Sequence, residues 1–167
     1  MHADKRNAAT SNTAATVHTP RARSPLAAYT ALLRLAEHIP LSLVQLAGRV
    51  AIFHVFWNSA QSKLASWPVT LQLFALEYRV PLLPPDVTAV LATAAELGGA
   101  ILTVLGLFTR FAALALLGVV AVIQLFVFPG SWAEHLLWAS LLLLFVARGA
   151  GTFSLDHLAL RFLTRTG

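Results

Sequence analysis

No cysteine occurs among the 167 residues, which excludes a disulfide, a thiolate metal site and dithiol redox chemistry in this chain. Any redox role must therefore use a bound cofactor or a partner. Charge is scarce as well: Asp, Glu, Lys and Arg make up 11% of the chain, against about 25% in soluble domains. Residues 1–24 lack the continuous apolar run that a secretory signal requires. No internal repeat of the solenoid kind is present.

What is abundant is apolar material. Hydrophobic residues account for 57% of the chain, with a mean hydropathy of +0.72, and they are gathered into long blocks rather than spread at strand or surface-helix period. A soluble core cannot absorb that much apolar surface, so the blocks are expected to face lipid. The net charge of +5 does not point to nucleic acid, because the Lys and Arg residues lie at the ends of apolar blocks, where they act as topology signals. The expected partner is a bilayer, and no nucleic-acid partner is expected.

The fold class that follows is all-α, an integral membrane four-helix bundle with up-down topology. Residues 1–24 read as a disordered cytoplasmic tail, although their Arg, Ser and Thr content also fits an organellar transit peptide. Over 25–40, Tyr29, Leu32, Leu33, Ala36 and Ile39 recur at helical spacing opposite Arg34, Glu37 and His38, which predicts an amphipathic helix on the membrane surface. Four spans are expected at about 41–64, 86–108, 111–128 and 132–147, with a tight turn at Thr109 and Arg110 between the second and third. Between the first two spans, Leu71, Phe74, Ala75 and Tyr78 predict a short helix at the outer interface. Residues 149–167 read as a cytoplasmic tail containing a short amphipathic helix.

Lys5, Arg6, Arg21, Arg23, Arg34, Arg110, Arg148, Arg161 and Arg165 fall on one side of these spans, against Lys63 and Arg79 on the other. The heavier side is expected to be the cytoplasm, with both chain ends there.

Ionisable groups inside a span cost free energy and call for partners. His54 lies 14 residues past Pro40, Glu96 14 before Arg110, Gln124 14 after Arg110 and His135 13 before Arg148. At ~1.5 Å per residue these four sit about 20 Å deep. With Arg49 and Asn58 they form an expected polar intramembrane layer, in which Glu96 pairs with Arg49 or His54. Three readings stay open for it: a structural hydrogen-bond layer, a pocket for a small polar or quinone-like head group, or a metal or haem site on His54 and His135. Metal or haem binding is expected to be absent, since the two imidazoles would also have to face each other. No catalytic residue can be named.

The run Glu96-Leu-Gly-Gly-Ala, the following Gly106-Leu-Phe-Thr-Arg110, Arg49 with Lys63 in the first span, and the Ser154-Leu-Asp156 ending resemble the DoxX family over roughly 43–158. The resemblance implies a four-helix membrane protein beside quinone-linked and other redox systems. It places Arg49, Lys63, Glu96, Arg110 and Asp156 on family-like positions. Two departures stand out: Trp57-Asn58-Ser59-Ala60-Gln61-Ser62 replaces a glycine-containing approach to Lys63, and Arg79 stands before Val80-Pro81 in place of a small residue.

The function expected is an accessory subunit of a redox or detoxification system in the bacterial inner membrane. A membrane or soluble redox partner goes with it, and quinone is the cofactor implied. Whether the chain is itself an enzyme stays open. The alternatives are a small transporter or permeation subunit and a structural anchor for a soluble partner.

Overall fold

A computed structural model describes residues 25–81 and 83–164. The 1–24 tail and residues 165–167 lie outside them. All regular elements among the described residues are helical. The described residues fall into two units, divided between His38 and Ile39. In the first, α1 (Pro25–Glu37) is amphipathic, and its Tyr29, Leu32, Leu33 and Leu35 are exposed.

The second unit begins after Pro40 with α2 (Leu41–Ala65), a 25-residue helix ended by the extended Ser66. Pro68 then sits in the first turn of α3 (Trp67–Leu73), where its missing N–H costs nothing. A π-helical turn, Phe74–Tyr78, continues α3 and stops at Arg79 in the left-handed region. The sequence pattern Leu71, Phe74, Ala75 and Tyr78 therefore falls across an α-to-π junction. Pro85 opens α4 (Pro85–Leu105), and Gly106 closes it at φ +67°, the left-handed cap that glycine adopts without strain.

The turn after α4 spans residues 106–108, not Thr109 and Arg110. Asp156 accepts hydrogen bonds from the Phe108 and Thr109 amides and from the Thr109 hydroxyl, so α5 (Thr109–Val122) already begins at Thr109. A second π-helical turn, Ile123–Val127, extends α5, and Pro129 and Gly130 follow it. The chain ends with α6 (Trp132–Arg148) and α7 (Leu155–Leu163), whose N-cap Ser154 accepts from the His157 amide.

Helix α2 packs on α4, α4 on α5, α5 on α6, and α6 back on α2. Ile52, Phe56, Ala100, Ala113, Leu116, Val120, Leu142 and Phe145 fill the space between them. Small residues set the spacing: a Cβ at Gly99 would stand 2.7 Å from Leu116, and one at Gly48 would stand 3.1 Å from Phe145. The outward Leu91, Phe111, Leu114, Leu125, Leu136 and Leu143 are exposed, as lipid contact requires. Two helices, Pro85–Leu105 and Thr109–Val127, are long and apolar enough to cross a membrane, with mean hydropathies of 1.7 and 2.3. The chain is thus an all-helical membrane protein.

Candidate functional site

The polar residues expected to form one layer separate into three groups. Arg49, only 2% exposed, donates to the carbonyls of Thr103, Val104, Ala150 and Phe153. Two of these are carbonyls of the last turn of α4, where Thr103 also accepts from the Gly106 amide. Gln45, one turn earlier on α2, donates to the Gly149 carbonyl. Arg49 is therefore a clamp between α4 and the segment joining α6 to α7. It is not the partner of Glu96.

Glu96 pairs with Lys63. Lys63 Nζ lies 2.8 and 3.0 Å from the two carboxylate oxygens and 2.8 Å from the Ser59 hydroxyl, which uses its three N–H donors. The expectation of Arg49 or His54 failed on side-chain direction. Side chains on a helix lean toward its N-terminus, and α2 and α4 run antiparallel, since Arg49 meets Thr103 while Lys63 meets Glu96. Lys63 leans inward along α2, Glu96 leans the opposite way along α4, and the two converge. Arg49 leans away from them, toward the C-terminal end of α4. Depth measured at Cα positions concealed these opposed leanings. Thr70 adds a bond from α3 by donating to the Lys63 carbonyl.

His54 and Asn58 make a local contact at 3.1 Å on an exposed face of α2. Gln124 and His135 form a buried pair at 2.6 Å, with Gln124 also donating to the Pro129 carbonyl. The two histidines thus have separate partners. Among the described residues no three His, Cys, Asp or Glu side chains gather as metal ligands. Arg110 and Asp156 lie at the Arg49 end, Arg110 exposed and beside Gly149, Asp156 capping α5.

Beside the Lys63 and Glu96 pair lies a cavity of about 640 Å³, within the usual range of small-molecule pockets. Lys63, Glu96, Ser59 and Ser66 line its polar part, and residues of α4, α5 and both π-helical turns form its apolar walls. The two π turns meet across it through aromatic rings: Phe74 lies edge-on to Tyr78 at 5.1 Å, and Tyr78 to Phe128 at 6.1 Å. Such turns are frequent at functional positions, because the extra residue re-aims the side chains that follow. Burial raises the Tyr78 phenol above its ordinary range, and the negative charges of Glu77 and Glu96 add to the effect. It therefore stays protonated, a hydrogen-bond donor. Among the described residues it has no hydrogen-bond partner of its own.

Over residues 44–129 the chain matches the DoxX family. It belongs to the DoxX family. The matched segment contains Arg49, Lys63, Glu96 and Arg110, and with them the whole lining of the cavity, whereas Ser154 and Asp156 lie beyond it. No curated protein and no solved structure matches the chain. The sequence marks Lys63 as an outer-side cation and, through the DoxX resemblance, as a family-like position, without connecting it with Glu96. Opposite charges facing each other on two antiparallel helices, read with the N-terminal lean of side chains, were the available signal. Ser59 and Thr70 carried no such signal.

Proposed function

We propose that this DoxX protein crosses the bacterial inner membrane four times, as an up-down bundle of α2, α4, α5 and α6 with both ends in the cytoplasm. In this reading it serves a redox or detoxification system as an accessory subunit, holding a small molecule with a polar or quinone-like head group in the cavity. The cationic distribution supports the orientation, and family membership supports the membrane setting.

The observation that carries the ligand reading is an ion pair between the buried Glu96, 1% exposed, and the partly buried Lys63 on the wall of a mostly apolar cavity. Such a pair is weak evidence of stability, because replacing both charges with apolar groups is often neutral or stabilising. Its cost is accounted for if the charges orient something. The test is native mass spectrometry of protein released from its own membranes, with extraction of bound small molecules. The wild type should carry a ligand that the Lys63→Met/Glu96→Leu double variant lacks, and an oxidoreductase should co-purify. A wild type that is empty and alone would overturn the reading, and solute flux in proteoliposomes would replace it with a transporter.

A further inference from the structure

We infer that the ligand of this cavity is a membrane-dissolved amphiphile with an uncharged polar head, which enters sideways from the bilayer between α4 and α5. The inference rests on the cavity being a binding site, as proposed above.

Close packing and open space lie near each other along these two helices. Toward the Arg49 end, Gly99 of α4 sits so tightly on Leu116 of α5 that an added Cβ would force the Leu116 side chain to shift. Toward the Lys63 end, a Cβ at Gly118 would meet nothing within 4 Å. Both helices face the cavity there with stripes at helical spacing, Leu91, Ala92 and Ala95 on α4 and Ala115, Gly118 and Val122 on α5. Four of these six are Ala or Gly, so the gap is not refilled by side chains.

The same stripes reach the outside. Leu91, Ala115, Gly118 and Val122 are exposed as well as cavity-lining. They stand on the two helices apolar enough to cross a membrane, so the surface they share with the exterior is the hydrocarbon-facing one. A molecule already dissolved in the bilayer meets this slot directly, and an apolar tail can remain in it after the head has reached Glu96.

Charge balance sets the head group. Lys63 has spent its three N–H donors on Ser59 and on the two oxygens of Glu96, leaving a neutral pair. A charged head would enter with no counter-charge in a poorly solvated site. The spare lone pairs of the Glu96 carboxylate accept from a hydroxyl, and the Tyr78 phenol donates to a carbonyl or hydroxyl oxygen.

The test uses the full-length protein in lipid nanodiscs and three probes with a diazirine in a sixteen-carbon chain: hexadecanol, palmitate and hexadecyltrimethylammonium. Photolabelling is read by intact mass and peptide mapping, with unlabelled hexadecanol as competitor. The alcohol should label Ala92, Ala95 or Val122 saturably. Filling the slot with Gly118→Leu, or independently Ala115→Leu, should cut that saturable labelling about tenfold or more while thermal unfolding stays at the wild-type temperature. Labelling lost in Lys63→Met/Glu96→Leu but unchanged in both slot variants would overturn the lateral route and leave the cavity reading standing. Stronger saturable labelling by palmitate or by the ammonium probe would overturn the uncharged head. Failure of all three probes to saturate would remove the cavity reading itself.

Discussion

Removing one member of the Lys63 and Glu96 pair strands the other in a site with little water. Glu96→Ala or Lys63→Met alone should each destabilise the protein by about 3–5 kcal/mol, whereas Lys63→Met/Glu96→Leu should be nearly neutral. Thermal unfolding of the three variants in detergent checks this, and simple additivity of the single losses would show the residues to be independent. Arg49 differs, since its partners are carbonyls and not a carboxylate. Arg49→Lys should therefore restore little of what Arg49→Leu loses, roughly 3 kcal/mol or more, because a point charge cannot reach four carbonyls arranged for a planar fork.

Tyr78 makes a pH prediction at the same scale. The chain has two tyrosines, so Tyr29→Phe leaves Tyr78 as the sole phenol. Its absorbance titration should have a midpoint above the ordinary 10.0. The sign for stability follows from proton counting: above pH 10 the unfolded chain has released the phenolic proton while the folded chain still holds it. The contribution of Tyr78 is thus complete below the unfolded value and lost as pH rises through the folded one. Tyr78→Phe should flatten that alkaline decline in thermal stability.

At the scale of elements, the long helices were legible because apolar blocks and Pro, Gly boundaries are local signals. Pro40 and Pro85 mark starts that the structure uses, whereas Gly106, inside the expected second span, is where α4 is capped. The start of α5 was not legible locally, since it depends on Asp156, 47 residues further along. The two π-helical turns were illegible for a related reason: an extra residue in a turn is compensated by tertiary contacts, here the Phe74, Tyr78 and Phe128 rings, and leaves no mark in the hydrophobic period. The polar residues stand out in the sequence as costly, but equal Cα depth does not amount to contact. The Asp156 cap gives this scale its prediction. Asp156→Ala should cost about 1–2 kcal/mol, the usual worth of an N-cap, and should speed amide exchange at Phe108 and Thr109 selectively.

The described part of the molecule carries its cations unequally, with Arg110, Arg148 and Arg161 on one side of the expected spans and, on the other, Arg79 and a Lys63 neutralised by Glu96. The expected topology follows from that imbalance. A reporter fused after Gly167 should be active only in the cytoplasm and one inserted near Val69 only outside; activity of the Val69 insertion in the cytoplasm would reverse the arrangement.

The uneven packing of α4 and α5 also bears on selectivity. Gly99 packs on Leu116 and Arg49 holds the last turn of α4, while Ala92, Ala95 and Gly118 leave room along the cavity. Among the described residues no side-chain hydrogen bond joins α4 to α5, so apolar packing alone shapes the slot. The grip should then accommodate tails of varied girth, and discrimination among ligands should fall on the head group. Chain length and branching in a series of alcohols should change affinity far less than replacing the hydroxyl with a methyl group.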